Sequence, residues 1–384
     1  HGPTFMLSKL QRLRRPSHLQ RARTATSPTT GSRRLIFGFG MIILVGTVLL
    51  RLPISTRGEP ISWLDALFTS TSAVTVTGLT LFSTAETFSL FGQLVILLLL
   101  QVGGIGFIAL SVILFRLAGR QVVLRDRIML QRTLGVDETG DIIRMTFHVL
   151  VVVVGIELAG AALLFVRWVG ELPVPTAAYL ALFHSVSAFC NAGFDLFAGT
   201  DYPVLFGFGT DPWSLGVLAL LILIGGLGIV VVDDLLTWRS SRLTLHTSIT
   251  LRMTLLLTVA GSMIILLDEA FSGALFPSMA LDDQLTTGIF TVISARTAGI
   301  TILPLEQLSQ ASQLILMVWM FIGGAPSSMA GGVSLTTVAV LALAMRATVQ
   351  GRSPTVVLRR AIPTETIMTA MAVMTVSTLV VVIA

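Results

Sequence analysis

Long apolar runs recur along this 384-residue chain, each of about 18 residues or more and so able to cross a hydrocarbon core of about 30 Å as a helix. A water-soluble core cannot accommodate so many. Apolar residues make up 54% of the chain and charged residues only 12%, against roughly a quarter charged in an ordinary soluble domain. The pattern predicts a polytopic membrane protein. The single cysteine, Cys190, rules out a disulfide framework within the chain.

The net charge of +5 is almost entirely arginine, and its placement predicts orientation. Residues 1–34 carry Lys9, Arg12, Arg14, Arg15, Arg21, Arg23, Arg33 and Arg34 among Pro, Ser and Thr, which reads as a basic N-terminal tail. Arginines recur at 116–144, 239–252 and 346–360, whereas the connections around 168–212 and 268–307 are acidic. The positive-inside rule places the arginine segments and the N-terminus in the cytoplasm, with Arg51 and Arg57 as exceptions on the outer side. Topology accounts for this basic charge, so no nucleic-acid partner is expected.

Between the arginine groups, each outer connection contains a shorter apolar segment that turns polar and ends in glycine. These are Leu67 to Gly78 (LFTSTSAVTVTG), Leu182 to Gly193 (LFHSVSAFCNAG) and Ile289 to Gly299 (IFTVISARTAG). The three glycines are spaced by 115 and 106 residues, a repeat of about 110. Each repeat reads as an outer helix, a half-crossing helix, a glycine-containing return strand and an inner helix. The inner helices carry glycines too, at Gly103, Gly104 and Gly106, at Gly225, Gly226 and Gly228, and at Gly323 and Gly324.

Irregular polar backbone at membrane depth is tolerated only where protein buries it or where it lines a watery path. A glycine there adopts angles closed to other residues and lets successive carbonyls face an axis, where they replace the hydration shell of a cation. The residues expected to do so are Val76, Thr77 and Gly78, then Asn191, Ala192 and Gly193, then Thr297, Ala298 and Gly299. The stretch Gly323-Gly324-Ala325-Pro326-Ser327-Ser328-Met329-Ala330-Gly331-Gly332 combines one proline with four glycines. It should break the third inner helix into a loop below the filter, a candidate gate.

These segments resemble the potassium-translocating subunits of the Ktr, Trk and plant HKT transporters, the KtrB type above all. The resemblance rests on SAVTVTGLT (72–80), SAFCNAGF (187–194), ARTAGI (295–300) and FIGGAPSSMAGGVSLTT (321–337), and covers about residues 35–384. It implies an all-α membrane protein of helix, pore helix, helix units around one pore, with K⁺ taken up through a glycine filter at the plasma membrane. It identifies residues 323–332 as the gating loop. It further implies homodimers in lipid, seated on a cytoplasmic ring of nucleotide-binding RCK subunits. Nucleotide would act only through that partner, the chain itself holding no cofactor, and Na⁺ is a candidate activator. Ser334 departs from the pattern, standing where the family commonly has a basic residue.

The expected units are 35–119, 141–239 and 247–346, with residues 362–384 as the first helix of a fourth. The repeat places a fourth glycine near position 405, so the native chain is expected to be longer. No nucleophile, base and orienting group stand together, so an enzyme is not expected. Two other functions fit parts of the chain. A sodium-selective or sodium-coupled pore of the HKT type keeps the filter, although glycine at 78 favours potassium. A non-conducting scaffold keeps the arginine segments but has no use for three filter-like strands.

Individual residues complete the reading. Glu157, inside an apolar outer helix, is expected to hydrogen-bond a neighbouring repeat. Arg296 should brace the third filter through a carboxylate or carbonyls, and Asn191 should add polarity to the second. His184 and Cys190 read as packed buried residues, and Asp233 with Asp234 as a solvated pair at the membrane surface.

Overall fold

The structure is a computed structural model that describes residues 28–106, 142–197, 211–237, 243–272, 276, 279–326, 328–351, 356–357 and 360–383. Ser327 and the arginines of 107–141 lie outside the described residues.

Among the described residues the regular elements are helices and one two-residue antiparallel pair, Val356–Val357 with Arg360–Ala361. The helices are α1 (Pro28–Arg51), α2 (Trp63–Val74), α3 (Leu90–Ile105), α4 (Ile142–Trp168), α5 (Val174–Phe189) and α6 (Pro212–Leu227). They continue as α7 (Ile229–Thr237), α8 (Leu245–Ser272), α9 (Leu281–Thr297), α10 (Gln310–Phe321), α11 (Leu335–Val349) and α12 (Thr364–Ile383). Helix α1 begins inside the stretch read as tail, at Pro28 rather than near residue 35. His148–Trp168, Leu245–Ser272 and Thr364–Ile383 are each long and apolar enough to cross a membrane alone, with mean hydropathies of 2.7, 1.9 and 2.2.

Packing follows a recurring triangle. Helices α1, α2 and α3 pack on one another, as do α4, α5 and α6, and again α8, α9 and α10. Neighbouring triangles meet where α3 touches α5 and where α6 touches α9. The second member of each triangle is short and lies inside, and α5 buries every residue from Phe183 to Phe189.

Local chemistry sets where these helices start. Ser62, Ser89 and Ser309 each accept a hydrogen bond from a backbone N–H one turn into α2, α3 and α10. Asp211 caps α6, accepting from the Ser214 N–H at 2.9 Å ahead of Pro212 at the first helical position. Burial opposes charge on the Asp211 carboxyl, but the Ser214 hydrogen bonds and the nearby Arg167 guanidinium outweigh it and hold the group below its ordinary pKa. Indole N–H groups pin the triangles: Trp168 donates to Ser214 Oγ at 2.9 Å, and Trp319 to the Leu257 carbonyl at 3.1 Å. Asp234, half-exposed near the end of α7, accepts hydrogen bonds from the Thr244 and Thr247 hydroxyls at the start of α8.

Candidate functional site

The three glycine turns come together. Short helix α2 ends at Val74 and α5 at Phe189, each four residues before its glycine. The chain then reverses by the same hydrogen bonds: Thr77 N–H donates to the Ser72 carbonyl at 2.9 Å, and Ala192 N–H to that of Ser187 at 2.8 Å. Two residues before each glycine the backbone is left-handed, with φ of 53° at Val76 and 57° at Asn191. For a β-branched residue such as Val76 this is a genuine outlier, which costs about 1–2 kcal/mol and clusters at functional sites. Gly78, Gly193 and Gly299 also have positive φ, at 82°, 71° and 72°.

The third turn differs by one residue. Helix α9 continues to Thr297, only two residues before Gly299, and both Ala298 N–H and Gly299 N–H donate to the Ser294 carbonyl at 2.8 Å. Aligning the three segments on their glycines hides this, because the left-handed residue of the first two turns has no counterpart in the third.

Contacts between turns run in one direction around the group. A Cβ on Gly78 would strike the Ala192 carbonyl and lie 3.2 Å from Gly193 Cα. A Cβ on Gly193 would strike the Ala298 carbonyl and lie 3.4 Å from Gly78 Cα. Only glycine lets the three backbones approach this closely. Serine hydroxyls set two of the returning strands, Ser187 Oγ donating to the Phe194 carbonyl and Ser294 Oγ to the Ile300 carbonyl, both at 2.7 Å. Ser72 occupies the corresponding place in the first turn and its Oγ is buried without a hydrogen-bond partner among the described residues.

Close approach extends outward by glycines that the sequence reading passed over. Gly46, Gly160 and Gly261 lie on the outer helices where added methyl groups would meet Ser70 Oγ, Ser185 Oγ (2.6 Å) and Val292 Cγ1 (2.7 Å) of the short helices. Their spacings, 114 and 101, run close to those of the turn glycines, and that periodicity was the available signal. Ser70 and Ser185 use the approach, donating to the Ile43 carbonyl at 2.8 Å and the Glu157 carbonyl at 2.6 Å. On the inner helices, Gly103 and Gly225 sit against the Val74 and Phe189 carbonyls at the ends of α2 and α5, leaving no room for a side chain.

Helices α10 and α11 are separated by a non-helical stretch after Phe321 and before Leu335. Residues 322–326 and 328–334 form the two arms of a loop pinched at its neck, where Gly323 N–H donates to the Val333 carbonyl at 2.9 Å and Val333 N–H to that of Phe321 at 3.0 Å. The loop docks on α6: Ala325 N–H donates to the Gly226 carbonyl at 2.9 Å and Met329 N–H to the Gly225 carbonyl at 3.1 Å. Gly323, Gly324, Ala325 and Met329 are buried, Ser328 and Ala330 half-buried, and Pro326, Gly331 and Gly332 exposed.

Four single residues resolve here. Glu157 meets the neighbouring triangle, accepting from the Gln101 amide, while Cys190 Sγ lies 3.2 Å from Gln101 Oε1 and 3.8 Å from Glu157 Oε1. His184 is fully buried, stacked on Phe197 with centroids 4.4 Å apart, its Nδ1 donating to the Leu180 carbonyl and its Nε2 meeting Asp195 Oδ1, both at 2.8 Å. Arg296 departs from expectation: it is 95% buried yet makes no hydrogen bond or ion pair with a described residue, and its Nη2 lies 3.7 Å from where a Cβ of Gly226 would be. The Asn191 side chain lies between the second and third turns, its Nδ2 donating to the Phe189 and Ile222 carbonyls and its Oδ1 accepting from Thr297 Oγ1.

The family model for the cation transport protein TrkH matches residues 16–384. This chain belongs to the TrkH family. Among its relatives, the potassium/sodium uptake protein NtpJ of Enterococcus hirae is 35% identical, over 87% of this chain and 73% of that protein. The Ktr system potassium uptake protein B of Bacillus subtilis is 34% identical, over 88% and 75%. The crystal structure of the potassium transporter TrkH from Vibrio parahaemolyticus superposes with a TM-score of 0.65 at 19% identity, covering 87% of this chain and 68% of that one, which shows the TrkH fold.

Proposed function

We propose that this TrkH-family chain carries K⁺ into the cell across the plasma membrane, through a path bounded by the turns at Gly78, Gly193 and Gly299. The observation that carries the reading is the meeting of the three turns, with the Ala192 and Ala298 carbonyls each brought against the preceding turn's glycine. Backbone carbonyls are the ligands that replace the water of a dehydrated cation. In this reading the three triangles are pore units, α2, α5 and α9 are their pore helices, and the ion is driven by a membrane potential worth about 2.3 kcal/mol per charge per 100 mV.

The loop at 323–332 acts as the gate. It lies between α10 and α11 and rests on α6 of another unit through backbone hydrogen bonds from Ala325 and Met329. A cytoplasmic RCK-type subunit controls it and supplies the nucleotide response, and the transporter works as a homodimer with its N-terminus in the cytoplasm. The names of Ktr-system relatives support a multi-component system. A sodium reading is kept for one reason, that NtpJ is described as a potassium/sodium uptake protein.

Uptake of radioactive rubidium into proteoliposomes holding the complete transporter tests this, with external K⁺ or Na⁺ as competitor. Competition by K⁺ and not by Na⁺ is expected. Equal competition by both ions would transfer the site to sodium. Gly78→Ser should raise sodium passage relative to potassium, and an unchanged ion ratio in that variant would remove the turn from the ion path.

A further inference from the structure

Asn191 occupies a left-handed position two residues before Gly193 and is 1% exposed, so its amide must find every partner inside the protein. Nδ2 lies 3.1 Å from the Phe189 carbonyl and 3.3 Å from the Ile222 carbonyl. Both of those oxygens only accept, which fixes the amide orientation and leaves Oδ1 as the acceptor on the other side. There Thr297 Oγ1 donates to it at 2.6 Å. Thr297 stands two residues before Gly299, so a single side chain joins the second turn, the third turn and inner helix α6.

We propose that Asn191 and Thr297 form a clamp that holds the second and third glycine turns at a fixed separation, making both of them positioning residues for ion selectivity. The inference rests on the reading of the turns as the ion path. Neither side chain touches the ion in this arrangement. They act through the carbonyls of Ala192 and Ala298, each one residue further along the chain. A carbonyl ring discriminates between cations only while its spacing is maintained, and a buried hydrogen bond between two turns maintains it. The third turn, one residue shorter than the others, has no left-handed residue to brace itself and takes the brace from Asn191. On the other side, the Ile222 contact lies one turn of α6 before Gly225, whose carbonyl holds Met329 of the loop. The clamp therefore grips the same part of α6 on which the loop rests.

The test is rubidium uptake by the complete transporter in proteoliposomes, with Na⁺ competition read as the ratio of inhibition constants. Thr297→Val keeps the shape and deletes the donor, and should shift the ratio toward Na⁺ by about fivefold or more, the scale of one lost buried hydrogen bond. Thr297→Ser keeps the hydroxyl and should restore the ratio of the natural chain. Asn191→Asp keeps an acceptor for Thr297 but sets oxygen against the Phe189 and Ile222 carbonyls, and should shift the ratio as Val does. If Thr297→Val yields no monodisperse protein, Thr297→Ala deletes the same donor in a smaller side chain and carries the same expectation. A lowered melting temperature and uptake rate with an unchanged ratio would overturn the proposal, because a merely structural contact does that. Gly78→Ser in the same assay separates the two readings: a shifted ratio there with an unshifted ratio in Thr297→Val sinks only the clamp, whereas no shift in either sinks the ion path.

Discussion

At the scale of single residues, buried polar groups here occur in linked sets. Glu157 on α4, Gln101 on α3 and Cys190 at the end of α5 satisfy one another, with Glu157 and Cys190 buried and Gln101 half-buried. Removing one member strands the others, which costs about 1–3 kcal/mol per unsatisfied group, while exchange for a group with the same hydrogen-bonding atoms costs less. Glu157→Leu, which orphans the Gln101 amide, should therefore lower the melting temperature of the purified protein markedly, and Glu157→Gln should lower it little. Equal losses in both variants would show that the carboxylate charge, and not the hydrogen bond, matters. The sequence revealed that Glu157 must have a partner, since a lone carboxylate in an apolar helix demands one. It could not reveal Gln101, which is 56 residues away on α3.

At the scale of elements, the loop between α10 and α11 is the feature best matched by simple composition. Pro326 and four glycines make a helix unfavourable there, and a loop is present. Composition did not reveal how the loop closes. Gly323 packs against the Gly331 carbonyl so tightly that an added methyl group would overlap it. Gly323→Ala should push the two sides of the neck apart and, on the gating reading proposed above, raise rubidium uptake by the purified transporter. Folded Gly323→Ala protein with uptake no higher than the natural chain would remove the loop from the gating step. The same limit applies to the glycine turns. Their positions were legible from spacing, but the missing residue in the third turn was not, because alignment on glycine absorbs the difference into the helix end.

At the scale of the whole molecule, charge predicts orientation. The acidic connections should face outward and the arginine segments inward. Cys190 is the one cysteine of these 384 residues and is buried, so they give a silent background for labelling. Glu306, ahead of α10, and Gln350, just past α11, are exposed, and the charge pattern expects them on opposite sides of the membrane. A membrane-impermeant maleimide added to intact cells should label Glu306→Cys at once and Gln350→Cys only after permeabilisation. The reverse pattern would invert the assigned topology.

The sequence by itself determined that the chain is rich in membrane-length apolar runs and that three polar segments ending in glycine recur at a spacing of about 110 residues. Those properties follow from apolar run length, spacing and residue type, all local along the chain. Only the tertiary structure decided that the turns meet, that Asn191 points sideways to Thr297 106 residues away, and that Arg296 is buried with no carboxylate partner among the described residues. Each of these depends on which helix lies beside which, and that is set by packing at glycines such as Gly46, Gly160 and Gly261 whose partners lie in other elements. Periodicity identifies which face of a helix is buried; the packed neighbours determine what that face touches.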